Sequence, residues 1–156
     1  MERSKIGMIT INLKKLDKNA KPPSKAHYDD FCYDVWAVSE KEIAPNVWKY
    51  GLGFSYEIMD DLNKDTILSI DFRPRSSIWK TGMVLSNSTG TLDFGYRNEV
   101  FVVFYHVMTD MPRYKVGDKI GQIKIGTTTP IIFQFVDEIN EDTERGMGGF
   151  GSTGNN

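Results

Sequence analysis

The sequence predicts an all-β protein, built as a sandwich or a barrel. Apolar residues alternate with polar ones in segment after segment, the period of a strand that buries one face, and no long window holds a 3.6-residue apolar stripe. Gly, Asn, Asp and Ser separate these segments, so the strands are short and numerous.

Taken in order, "MITINL" alternates Ile9, Ile11 and Leu13, which predicts a first strand. "KKLDKNAKPPSK" follows, with five lysines and a Pro-Pro, and reads as a solvated loop. "YDVWAV" and "VWKYGLGFSYEI" carry the β-branched and aromatic residues of strands. "TILSIDF" alternates Leu68, Ile70 and Phe72, and "GMVLSN" is a further short strand. "STGTLDFGYRNEV" has the Gly, Ser and Thr of a tight hairpin. "VFVVFYHV" is apolar on both faces, as suits a strand buried on both sides. "KIGQIKI" and "IIFQF", with Ile131, Phe133 and Phe135, complete the set. The folded domain is expected to span residues 1–136. Residues 137–156 form an acidic linker and a glycine-rich end, "RGMGGFGSTGNN", with five glycines in twelve residues.

A chain of 156 residues fits one domain and buries roughly 70% of its unfolded surface. Its formal charge of −2, from 19 basic and 21 acidic residues, gives no general attraction to nucleic acid or an anionic membrane. Any bound anion must therefore sit in a local site. The single cysteine, Cys32, excludes an intrachain disulfide and fits a reducing, cytoplasmic setting. With His27, His106 and Cys32 alone, no ordinary zinc site can be assembled. The longest apolar run is half a membrane span, and the N-terminal residues show no signal-peptide pattern.

Two catalytic patterns fail. Gly146, Gly148 and Gly151 satisfy G-x-G-x-x-G, but the helix that must follow a dinucleotide fingerprint has no room. His106 lies in an apolar strand and reads as a hydrogen-bonded core histidine, not as the base of a triad.

Three stretches carry chemistry. In "RPRSSIWKTG", Arg75, Ser76 and Ser77 suit phosphate oxygens, because a guanidinium forks onto two of them; a serine-stabilised turn is the alternative. Asp93, between Leu92 and Phe94, is either a partly desolvated base or a turn aspartate. In the glycine-rich end, Arg145, Ser152 and Thr153 suit phosphate and Phe150 suits stacking on a base, against plain disorder.

In order along residues 32–154, these stretches resemble the five motifs of the homotrimeric dUTPase family. The first motif, A-G-[YF]-D-L, corresponds to "FCYDVWA". P-R-S-[SG] corresponds to "PRSS", and G-x-[IL]-D-x-D-Y-R to "GTLDFGYR". G-D-[RK]-[IL]-x-Q corresponds to "GDKIGQ", and the glycine-rich fifth motif to "RGMGGFGSTG" at every fixed position. Phe31-Cys32 replaces the usual Ala-Gly, and Gly95 stands where the third motif usually has a second aspartate.

The resemblance implies a jelly-roll-type β-barrel, a homotrimer with active sites shared between chains, and hydrolysis of dUTP to dUMP and pyrophosphate. That reaction limits uracil in DNA and supplies dUMP for dTMP synthesis. It assigns Asp93 to activating the water that attacks the α-phosphorus. Tyr96 would pack on the deoxyribose, and Asn87 would read the uracil edge. Arg75, Ser76, Ser77 and Gln122 would hold the phosphates. Arg145, Gly151, Ser152 and Thr153 would close over the γ end, with Phe150 on uracil. Mg²⁺ would be chelated by the triphosphate and water, with Asp34 in its outer shell.

Overall fold

The computed structural model describes residues 8–59 and 65–150. Among these, ten strands form: β1 (Thr10–Lys15), β2 (Tyr33–Trp36), β3 (Ser39–Ala44), β4 (Val47–Gly51), β5 (Phe54–Met59), β6 (Ile67–Arg73), β7 (Met83–Leu85), β8 (Gly90–Leu92), β9 (Phe101–His106) and β10 (Lys119–Thr128). A short 3-10 helix, Ser76–Thr81, follows β6. Two four-stranded antiparallel sheets, β2-β10-β6-β8 and β3-β4-β9-β7, are joined by a two-stranded β1-β5 sheet in a jelly-roll-type all-β fold. The sheets do not close into one hydrogen-bonded barrel among the described residues.

Period-2 alternation builds the core. β6 buries Leu68, Ile70 and Phe72, and β9 buries Val102, Phe104 and His106. The sheets meet where the Phe72 and Phe104 rings stand edge-on, 6.3 Å between centroids. Tyr50 and Tyr114 add further edge-on contacts to Phe104 at 5.8 and 5.5 Å. Such pairs contribute about 0.5–1.5 kcal/mol each beyond their buried area. His106 is a core histidine, with Nε2 2.9 Å from the Met111 carbonyl.

β9 is not buried on both faces within this chain. Tyr105 is 46% exposed and lies in register between Val47 of β4 and Val84 of β7, an apolar row on the outer face of its sheet. "IIFQF" is not a strand either. The last strand ends at Thr128, and residues 127–147 are exposed, including Ile132 and Phe133. The alternation is real, but these residues pair with no described strand. The expected tight hairpin is instead a crossover, because β7 and β8 belong to different sheets and Ser88, with φ 59°, turns the chain between them. β3 escaped the sequence pattern because "SEKEIA" is charged on both faces. It is an edge strand, secured by Glu40, which bonds Arg113 at 3.0 Å and accepts the Val116 N–H.

One irregularity in β10 governs the site. Gln122 pairs with Asp34 and Gly121 with Val35, but Lys119 pairs with Trp36, so Ile120 is an extra residue in a bulge. Strict alternation would turn Lys119 inward with Gly121 and Ile123. The bulge lets Ile120 be fully buried while Lys119 stays on the outer face with Asp34. Gly121 sits on the core side, where a Cβ would collide with the Phe72 ring. Phe72 is 1% exposed and held by Phe104, so it cannot yield. Gly121→Ala is therefore expected to cost about 1–3 kcal/mol in urea unfolding; a loss below about 0.5 kcal/mol would show that the ring moves.

Candidate active site

The first cluster forms on the outer face of the β2-β10-β6 sheet. Side chains opposite one another on paired strands share a face. Gln122 is opposite Asp34 on one side and Arg73 on the other, so the three stand in a row. Pro74 ends β6, and Arg75, still extended at φ −81° and ψ 154°, leads into the 3-10 helix. That turn brings Arg75 and Ser76 to the same polar cleft of about 440 Å³, which Cys32, Asp30 and Phe31 also line. Ser77, half-buried in the helix, is not part of its lining.

Charges in the cleft are largely paired. The Asp34 carboxylate is 2.9 Å from Lys119 Nζ and 3.9 Å from Arg75 Nε. Gln122 donates its amide N–H to the Pro74 carbonyl at 3.1 Å, which fixes the side chain across the sheet end. Arg73 was not singled out by the motif, which begins one residue later, yet it lines the same cleft.

The second cluster surrounds a cavity of about 280 Å³ between β7, β8 and β9, where Asn87, Asp93 and Tyr96 come together. Residues 93–98 are braced from several sides. Tyr56 donates its hydroxyl to the Asp93 carbonyl at 2.6 Å, and Arg97 donates to the Phe94 and Tyr96 carbonyls. Burial, with the nearby Asp93 charge as a lesser cause, pushes the Tyr56 hydroxyl up to about 12, so it remains a donor at neutral pH. Tyr96 donates its own hydroxyl to the Glu99 carbonyl at 2.7 Å and packs against the core.

Asp93 is exposed, not sheltered as Leu92 and Phe94 suggested, because Phe94 itself is 37% exposed. Its carboxylate accepts no hydrogen bond and forms no ion pair among the described residues. A Cβ on Gly95 would meet nothing within 4 Å, so no described residue of this chain demands glycine there.

The two clusters occupy separate cavities of the chain, and the described part of the tail, up to Phe150, lines neither. Among the described residues Arg145 bonds within its own turn, through Nε to the Gly148 carbonyl at 3.1 Å, and Phe150 is fully exposed. Gly151, Ser152 and Thr153 lie outside the described residues.

The dUTPase family profile matches residues 19–154. The chain belongs to the dUTPase family. Named deoxyuridine 5'-triphosphate nucleotidohydrolases resemble this chain over nearly its whole length. That of Clostridium kluyveri is 35% identical over 94% of this chain and 99% of its own. That of Clostridium tetani is 32% identical over 93% and 97%. Among solved structures, the dUTPase of Staphylococcus bacteriophage 80alpha with dUPNHPP superposes with a TM-score of 0.73 at 22% identity, covering 93% of this chain and 98% of that one. A mutant dUTPase from phage phi11 of S. aureus, described with a structural Mg(II) ion, gives 0.62 at 18% identity, over 83% and 98%. These likenesses extend the family result to the fold.

No group of three or more His, Cys, Asp or Glu side chains could hold a metal ion among the described residues. Asp34, with both carboxylate oxygens facing cations, is suited to accepting a hydrogen bond from a metal's water better than to direct ligation. The donor set fits a Mg²⁺ that arrives on phosphate oxygens. No helix among the described residues is long and apolar enough to cross a membrane.

Proposed function

We propose that the chain hydrolyses dUTP to dUMP and pyrophosphate, thereby limiting uracil in DNA and supplying dUMP for dTMP synthesis. The observation that carries this reading is the pair of complementary cavities. One gathers a carboxylate, an amide and an aromatic ring, and the other gathers guanidinium, hydroxyl and amide donors.

In this reading Asp93 takes a proton from the water that attacks the α-phosphorus, since its carboxylate lone pairs are not engaged among the described residues. Tyr96 presents its ring to the deoxyribose, with its hydroxyl held by Glu99, and leaves no space for a 2′-hydroxyl. Asn87 and the backbone of the turn read the uracil edge. A mismatched exocyclic group there would cost about 1–3 kcal/mol. Arg75, Ser76, Ser77 and Gln122 hold the phosphates, and Arg145, Gly151, Ser152 and Thr153 close over the γ end with Phe150 on the base. Asp34 orients a water of the bound Mg²⁺. That ion, when present, neutralises charge on the triphosphate.

The active unit is a homotrimer with shared sites. Three features support this: the two cavities are separate within one chain, the described part of the tail lines neither, and both the Val47–Tyr105–Val84 row and the 131–135 segment leave apolar side chains uncovered among the described residues.

The test is direct. With Mg²⁺ and dUTP, dCTP, UTP or dTTP supplied separately, pyrophosphate is expected from dUTP alone. Ammonia from dCTP would indicate a deaminase, and no turnover at all would indicate a nucleotide-binding regulator.

A further inference from the structure

We infer that Arg73 is a second phosphate-binding guanidinium of the polar cleft, acting beside Arg75. This rests on reading that cleft as the phosphate site. A residue before proline is held extended, so Arg73 continues the strand geometry to the last position of β6. Its register opposite Gln122 then fixes its side chain on the outer face. Asp34 lies on the same row two strands away, about 10 Å across the sheet, which leaves room for a phosphate between them.

Charge pairing around the cleft singles this arginine out. Lys119 is bound to Asp34 at 2.9 Å, and Arg75 is drawn toward the same carboxylate at 3.9 Å. Lys124, farther along β10, is committed to Asp71 at 3.2 Å. Of the carboxylates lining the cleft, Asp30 caps the His27 N–H and Asp34 has its two cations. Arg73 is exposed and lines the cleft, and its guanidinium has neither an ion pair nor a hydrogen bond among the described residues. It is the cation there whose forked donors are wholly available to an anion. A guanidinium reaches two oxygens of one phosphate or bridges neighbouring ones, which an ammonium cannot do.

The experiment uses the full chain with Mg²⁺. A non-hydrolysable imido analogue of dUTP and inorganic pyrophosphate are titrated by calorimetry into wild type, Arg73→Gln and Arg73→Lys. Turnover of dUTP is measured in parallel. Arg73→Gln is expected to weaken both ligands about tenfold, the loss of one charge-assisted hydrogen-bonding group. Arg73→Lys should recover part of that loss, because it keeps the charge without the fork. All three proteins should melt together, since the side chain makes no hydrogen bond or ion pair among the described residues.

Wild-type affinity for both ligands in Arg73→Gln, with dUTP still hydrolysed, would overturn the role of Arg73 and leave the cleft's assignment standing. A wild-type protein that neither binds the analogue nor hydrolyses dUTP would overturn the cleft's assignment and this inference with it. If Arg73→Gln melts lower, the lysine variant decides. Undiminished binding in it alongside the same melting loss makes Arg73 structural and overturns the inference.

Discussion

Asp93→Asn is expected to lower kcat for dUTP by about a thousandfold, within the range set by loss of a positioned general base. Affinity for the imido analogue should stay within about threefold of wild type, because a base acts on the attacking water and adds little to ground-state binding. The substitution is clean for a structural reason. The chain uses the Asp93 backbone carbonyl, which accepts from Tyr56 and from the Tyr96 N–H, while the carboxylate itself is unbonded among the described residues. An amide of the same shape leaves that bracing intact, so the melting temperature should not change. Near-normal kcat in Asp93→Asn would remove Asp93 as the base.

Deleting residues 145–156 is expected to leave folding intact and reduce turnover by about a hundredfold, the scale on which loss of closure and alignment affects a reaction. Stability should be unaffected because, among the described residues, Arg145 bonds to Gly148 alone and Phe150 is fully exposed. Combined with Asp93→Asn, this deletion tests whether sites are shared. Each chain alone is nearly inactive. Co-expressed in equal amounts, they form mixed assemblies in which one chain supplies Asp93 and another supplies the tail. With random assortment, about a quarter of the sites would be complete. If Asp93 and the tail of one chain serve the same site, mixing restores nothing.

Much of this fold was readable from alternation, because Ile70, Phe72, Val102 and Phe104 face a core that the chain itself provides. The same rule misled at "IIFQF", where the pattern reports a face to be covered but not whether the cover belongs to this chain. β8 was missed as a strand because three residues, Gly90–Leu92, carry too little period to recognise. The motifs located Arg75, Gln122, Asn87, Asp93 and Tyr96, and the structure brings these together in two groups. They could not reveal Arg73, whose position depends on register with Gln122, a pairing between residues far apart in sequence. Nor could they reveal that Asp93 is exposed in the single chain, since neighbouring apolar residues do not determine which way a loop opens.

The bulge at Ile120 bears on how this strand can be compared with others. "KIGQIKI" carries two inside–outside codes of opposite phase, joined at a single residue. An alignment that shifts a gap by one position across Lys119–Gly121 exchanges core residues for cleft residues while scoring almost the same. Roles assigned to Lys119 and Gln122 can therefore be carried between relatives only when the extra residue falls at the same point in both chains.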